Sequence, residues 1–153
     1  MTLEQKKVPS NLYLIAKNRL TIPQIQEFAA FVVEELYSEI EKLNLNINGP
    51  CEFIYLNCTG ELDKEFDLKI AIPILEKGKE SDLFEYFESA SYSCVSKDFT
   101  CNAENLGNAW DALMKEIELN KIVPSEINHC REVYKSWTGP LNNDNITELQ
   151  IQI

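Results

Sequence analysis

The chain contains an internal repeat, and this repeat constrains the fold more than any other feature of the sequence. Cys51 and Cys130 lie 79 residues apart, and so do Tyr55 and Tyr134. The helical parts of the two halves align at a spacing of 77 residues. A difference in length between the halves, located after the helix and before the next strand, accounts for the change in spacing from 77 to 79. We therefore expect one structural unit to be used twice, over about 5–75 and 83–153 of a single domain.

Each copy shows the same order of elements, namely two strands, a helix and two further strands. Strands are predicted where β-branched and aromatic residues cluster between turn residues, and helices where apolar residues recur at steps of three and four. The predicted strands are 6–8, 12–17, 52–57, 66–74, 83–87, 91–99, 130–137 and 146–153. The first helix follows Thr21, which forms a capping-box pattern with Gln24, and the second covers 103–120 after Asn102.

Both predicted helices carry one apolar stripe that should face a sheet. In the first helix the stripe consists of Ile25, Phe28, Ala29, Val32, Leu36, Ile40 and Leu43. In the second it consists of Leu106, Ala109, Trp110, Leu113 and Ile117. Four glutamates of the first helix lie off the stripe and are predicted to face solvent, namely Glu34, Glu35, Glu39 and Glu41. The predicted fold is α+β, with two pseudo-symmetric halves, an antiparallel sheet and two long helices.

Charge argues against several classes of partner. The net charge is -11 and the sequence pI is about 4.5. Nucleic-acid binding needs clustered lysine and arginine, and anionic membranes require the same, so neither is expected as a direct partner. The polar N-terminus lacks a signal peptide's apolar core, and no run approaches the length of a membrane span, so a cytoplasmic location is expected.

The cysteines and the histidine do not form a pattern typical of metal sites or of nucleophilic catalysis. The five cysteines include no Cys-x-x-Cys pair and are expected to be free thiols. His129, the single histidine, is adjacent to Cys130, and neighbours on a strand face opposite ways. We therefore expect no zinc site and no cofactor; phosphate- and dinucleotide-binding glycine motifs are absent from the sequence too.

The strand at 130–137 holds the most suggestive side chains. Strict alternation would place Cys130, Glu132, Tyr134 and Ser136 on one face, and would turn Trp137 to the other. A carboxylate beside a phenol can bind a cationic or hydroxylated ligand. The same arrangement is also common on a solvated strand, and these residues alone favour that second interpretation.

These elements, in this order, resemble the gyrase-inhibitor-like (GyrI-like) effector-binding domains. The resemblance covers nearly the whole chain and rests on segments 53–56, 67–74, 106–113, 131–134 and 147–153. It implies two pseudo-symmetric halves that hold a ligand in the cleft between them, as in the ligand-sensing half of some AraC-type and MerR-type transcription regulators. The sequence departs from the family at 99–102, where a Gly-Pro-Tyr-like segment is usual, and at Gln152, where a proline is usual.

The resemblance also implies a ligand site. The family's Glu-x-Tyr strand motif corresponds here to Glu132 and Tyr134, with the carboxylate pointing into the cleft. At the matching place in the first half stand Phe53 and Tyr55. Trp110 completes the predicted ligand-binding set, although helical spacing suits a core residue equally well. Two further tyrosines, Tyr13 and Tyr92, are assigned to packing.

Three functions remain open from the sequence. The first is the binding of lipophilic, cationic or aromatic small molecules by a sequestering or sensing module without its own DNA-binding domain, similar to multidrug-binding regulators. The second is hydrolysis of reactive electrophilic toxins, with Glu132 and Tyr134 as general base and acid. The third is a gyrase-inhibitor-type interaction with a protein partner that the sequence does not identify.

Overall fold

The computed structural model describes residues 2–126 and 129–153. Two helices, α1 (Ile25–Lys42) and α2 (Leu106–Leu119), each follow a single 3-10 turn, at Ile22–Gln24 and Ala103–Asn105. The strands, in chain order, are β1 (Glu4–Val8), β2 (Leu12–Leu20), β3 (Glu52–Leu56), β4 (Phe66–Pro73), β5 (Glu85–Glu88), β6 (Tyr92–Thr100), β7 (His129–Ser136) and β8 (Ile146–Gln152).

The strands form one open antiparallel sheet whose order reflects the repeat. The order is β1-β6-β8-β7-β3-β4-β2-β5. Exchanging each strand for its counterpart in the other half gives the same order reversed, so a pseudo-two-fold axis runs between β3 and β7. Phe53 and Glu132, which occupy equivalent positions in the two halves, are direct cross-strand partners at this axis. The predicted α+β fold with two matching halves is confirmed.

Both helices lie on one face of this sheet, which we call the helix face. Val32, Leu36 and Ile40 of α1 pack on the strands of the first half. Leu113 and Ile117 of α2 pack on those of the second half. The predicted apolar stripes are therefore the buried ones, because a helix on a sheet is stabilised mainly by burying one apolar face.

One predicted surface residue of α1 is buried instead. Glu39 is 4% exposed, and its carboxylate accepts a hydrogen bond from the Ser81 hydroxyl. Ser81 also accepts hydrogen bonds from the amides of Leu83 and Phe84. The connector between the halves thus folds over α1 at this point, which the periodicity of the helix alone does not indicate.

The sheet must curve strongly, because short links join strands that are far apart in its order. Residues 9–11 connect β1 to β2, which are six strand positions apart, or about 29 Å in a flat sheet. The four Cα steps from Val8 to Leu12 reach at most about 14 Å. Residues 89–91 make the equivalent link, and the Ser89 amide donates to the Asn11 carbonyl oxygen at 2.9 Å. The two edges are therefore drawn towards each other at this end.

Curvature explains why the face opposite the helices, the inner face, is buried as well. No helix of the described residues packs on it, yet Tyr13, Ile15, Ile54 and Ala71 form a compact apolar cluster there. Arg131 is 4% exposed on the same face. The sheet therefore buries one layer of side chains beneath the two helices. A second layer of side chains is buried on its concave inner face.

Candidate functional site

Glu132 lies at the centre of the helix face and receives three hydrogen bonds. The hydroxyls of Tyr55 and Tyr134 donate to its Oε1 at 2.5 and 2.6 Å. The Trp110 indole Nε1 donates to its Oε2 at 2.7 Å. β3, β7 and α2 each contribute a donor, so the carboxylate ties the two halves together.

Aromatic rings surround this carboxylate. The rings of Phe53 and Tyr134 meet edge to face, with centroids 4.8 Å apart. The structure thus brings together all five residues in the predicted ligand-binding set. Trp137 lies beside them, with its ring centroid 4.9 Å from that of Tyr134.

The prediction that Trp137 faces away from Glu132 is wrong for a local reason. The pairing of β7 with β8 shifts between Tyr134 and Ser136, where two residues of β7 oppose one step of β8. Such a bulge breaks the strict alternation of side chains. Trp137, just beyond the end of β7, is then able to pack against Tyr134.

Glu132 has neutral hydrogen-bond donors and, among the described residues, no cationic partner. It is 5% exposed, and within residues 2–126 and 129–153 no lysine, arginine or histidine lies at ion-pair distance from it. Three hydrogen bonds offset part of the cost of burying the carboxylate, but they leave its negative charge uncompensated. The arrangement is one that a cation would stabilise.

A further polar group on this face has no hydrogen-bond partner in the described part of the chain. The Thr147 hydroxyl is fully buried and forms no hydrogen bond with the described residues. Thr147 of β8 is the cross-strand partner of Tyr134 on β7 and of Phe99 on β6. The sequence does not single out Thr147, because a threonine in a strand is ordinary, and only the structure shows that its hydroxyl lacks a hydrogen bond among the described residues.

Burial and the nearby carboxylate hold the two site tyrosines in their neutral form. Burial raises the pKa of Tyr55 and of Tyr134 well above the usual value, and the negative charge of Glu132 adds to both shifts. On the inner face, burial also raises the pKa of Tyr13 and of Tyr92. These phenols therefore act as hydrogen-bond donors at neutral pH.

The raised tyrosine pKa values give a pH dependence that can be measured. A group whose pKa is raised by folding contributes stability below its unfolded pKa, near 10, and that stability is lost as the pH rises further. We expect the phenols of Tyr13, Tyr55, Tyr92 and Tyr134 to ionise only together with unfolding. In an alkaline titration, the part of the tyrosinate absorbance that these four contribute should appear together with the change in circular dichroism. Ionisation of all tyrosines near pH 10 in a folded protein would contradict this.

The cysteines near the site are poor nucleophiles. Burial raises the pKa of Cys130 to about 12, and the negative charges of its surroundings add to the shift. Burial and the Glu132 carboxylate likewise raise the pKa of Cys101. Since the thiolate is the reactive form, these residues do not supply a nucleophile at neutral pH.

The inner face carries a second polar cluster, directly behind the site. Arg131 Nη1 donates to Glu52 Oε1 at 3.0 Å and to the Tyr13 hydroxyl at 3.2 Å. Its guanidinium lies 4.3 Å from the ring centroid of Tyr92. Glu52 and Arg131 occupy equivalent positions in the two halves, and so do Tyr13 and Tyr92. This cluster is internally paired, which agrees with the assignment of both tyrosines to packing.

Two hollows on the surface lie away from Glu132. One is on the outer side of α1, between Phe31, Leu83 and glutamates of the helix. The other is on the inner face near Lys6, Lys135 and Glu148. At Glu132 itself the space between the halves is occupied by the aromatic side chains described above.

No protein-family model matches the chain, and no curated protein does either. Solved structures match it over almost its whole length. The C-terminal domain of EcmrR has a TM-score of 0.74 at 16% identity, over 99% of this chain and 96% of that one. A longer EcmrR chain in a complex with DNA has a TM-score of 0.82 at 17% identity, over 98% of this chain, which spans 56% of that chain.

Two further structures extend the comparison. SAV2435 bound to tetraphenylphosphonium has a TM-score of 0.69 at 17% identity, over 99% of this chain and 93% of that one. A hydrolase of Listeria innocua has a TM-score of 0.63 at 12% identity, over 97% and 90%. The chain therefore has the α+β fold of the EcmrR C-terminal domain and of SAV2435. This is the GyrI-like fold that the resemblance of the sequence implied.

None of the helices in residues 2–126 and 129–153 is long and apolar enough to cross a membrane. No group of three or more histidine, cysteine, aspartate or glutamate side chains in this part of the chain is placed to hold a metal ion.

Proposed function

We propose that this protein binds lipophilic cations at Glu132, between its two halves. The observation that carries the proposal is a buried carboxylate with three neutral donors and no cationic partner in the described part of the chain. A bound cation would supply the missing positive charge where the dielectric constant is low. The surrounding rings would add cation–π attraction of about 0.5–2 kcal/mol for each well-placed ring.

Binding requires the site to open. Trp110 is half-buried, lies in the first turns of α2 and is held at the carboxylate by one hydrogen bond. It is the donor that moves with least disturbance, because the two tyrosines belong to the central strands. An entering ligand would displace the indole from Oε2 and take its place beside Glu132. The tetraphenylphosphonium bound to SAV2435, which shares this fold, supports a ligand of that type.

The direct experiment compares a cation with a neutral molecule of similar shape. Purified protein is titrated with tetraphenylphosphonium and with triphenylphosphine oxide, and intrinsic tryptophan fluorescence is recorded. We expect the cation to bind at least about tenfold more tightly, because close pairs of opposite charge in a desolvated site contribute about 1.5 kcal/mol or more. Equal affinity for the two molecules would show that the positive charge does not contribute to binding and would contradict the proposal.

Hydrolysis is a second candidate, favoured by the distance of 2.6 Å between the Tyr134 hydroxyl and Glu132. Glu132 would take a proton from water as the oxygen attacks an electrophilic carbon, and Tyr134 would protonate the leaving oxygen. The similarity of fold to a hydrolase supports testing it. Turnover of a reactive epoxide or ester by the wild type, absent in Glu132→Gln, would establish it. Binding without turnover would leave the protein a binding module.

A further inference from the structure

Thr147 is a buried polar residue that the hydrogen bonds of the described structure do not explain. A threonine hydroxyl that is buried without a partner costs stability, and valine would fill the same space without that cost. Valine also suits a strand at least as well as threonine does. The hydroxyl therefore opposes stability in this structure, which points to a role other than stabilising the fold.

Its position connects it to the cation site. Thr147 is the direct cross-strand neighbour of Tyr134, whose hydroxyl bonds to Glu132, and Glu132 pairs with Leu149 on the same strand as Thr147. Thr147 is therefore the diagonal neighbour of Glu132 on the helix face. Diagonal neighbours in an antiparallel sheet lie about 7–8 Å apart at Cα. This separation is short enough for one small molecule to reach both.

The surroundings of Thr147 link it to the opening of the site. Its other cross-strand partner, Phe99, packs with Leu106 and Trp110 against the core beneath α2. Trp110 is also the residue that a ligand would displace from Glu132. Movement of the indole would then make room beside the carboxylate and near the threonine hydroxyl together.

We propose that Thr147 is a hydrogen-bonding subsite of the cation site, and that it selects ligands carrying a hydroxyl, ether or carbonyl group near their cationic centre. This inference rests on the proposed function, because it assigns part of the specificity of the same site. Glu132 recognises the charge and the aromatic rings recognise the apolar body. Thr147 recognises one polar atom, which would gain a partner while satisfying the orphaned hydroxyl.

The test uses two cations that differ by one hydroxyl, tetraphenylphosphonium and (3-hydroxyphenyl)triphenylphosphonium. The wild type should bind the hydroxylated cation more tightly, by roughly three- to tenfold. In Thr147→Val this preference should disappear, while the affinity for tetraphenylphosphonium stays at the wild-type value. Thr100→Val, a change of the same kind at an exposed position on β6, should retain the preference.

The outcomes separate this inference from the proposed function. Equal binding of the two cations by the wild type, or the same preference in Thr147→Val, would overturn the inference and leave the cation site standing. Binding of neither cation would overturn both. Unfolding of Thr147→Val in urea provides a second check. A variant at least as stable as the wild type is expected, whereas a strongly destabilised one would show that the hydroxyl has a structural partner.

Discussion

Replacing Arg131 by methionine is expected to lower the free energy of unfolding by about 3–5 kcal/mol at pH 7, as found when one partner of a buried ion pair is removed. Methionine keeps much of the apolar stem but removes the guanidinium from the inner face. Glu52, itself buried, would retain the Tyr13 hydroxyl as its hydrogen-bond donor and would lose its cation. Urea unfolding of variant and wild type measures the difference.

The same variant should show a definite pH dependence. Burial already raises the pKa of Glu52 above its usual value, although Arg131 opposes the shift. Without Arg131 the pKa rises further, so the folded variant gains stability by protonating Glu52 as the pH falls. The difference from the wild type should therefore be smaller near pH 4.5 than at pH 7. A difference that does not change with pH would contradict this account of the inner face.

Arg19→Met provides the matched control. Arg19 forms an ion pair with Asp67 at 3.2 Å, close to the length of the buried pair, but both side chains are largely exposed. Exposed pairs contribute about 0–1 kcal/mol. A cost for Arg19→Met equal to that for Arg131→Met would show that burial is not the source of the effect.

Replacing Glu132 by glutamine is expected to weaken the binding of tetraphenylphosphonium by about a hundredfold, equal to ~3 kcal/mol. The shape of the site is nearly kept, so apolar contact and cation–π attraction remain while the charge is lost. Glutamine also offers only one acceptor oxygen. This oxygen can accept hydrogen bonds from the hydroxyls of Tyr55 and Tyr134. The amide NH2 group would then face the Trp110 indole N–H, and two donors cannot form a hydrogen bond with each other. Calorimetric titration gives the affinity of both proteins.

Glu148→Gln is the control for this change. Glu148 is also buried, and it lies on the neighbouring strand but faces the inner side of the sheet, where it pairs with Lys6. The variant removes one buried negative charge from the same sheet without touching the proposed site. We expect it to bind the cation within about twofold of the wild type, since only screened long-range attraction changes. A loss as large as in Glu132→Gln would point to net charge instead of a specific site.

The sequence predicted the elements from local pattern and from the repeat, whereas the resemblance to GyrI-like domains singled out Glu132 and Tyr134 as a ligand site. Alternation placed Glu132 and Tyr134 on one face, and the repeat added Phe53 and Tyr55 at the equivalent positions. Helical spacing put Trp110 on the buried stripe of α2. These inferences need neither the curvature of the sheet nor the course of the loops.

What the sequence missed depends on tertiary geometry. The bulge in β7 that brings Trp137 onto Tyr134 leaves no signature in the sequence. Burial of Glu39 depends on how the connector around Ser81 folds back. The paired cluster at Arg131 forms because short links bend the sheet around its inner face. The unsatisfied hydroxyl of Thr147 appears only when every neighbouring partner has been placed.

A crystal structure of the protein with tetraphenylphosphonium would show directly where the cation binds. We expect the phosphorus centre beside Glu132 between the two halves, with the Trp110 indole displaced from the carboxylate. The cation in the hollow on the outer side of α1, or on the inner face, with Trp110 still bonded to Glu132, would contradict it.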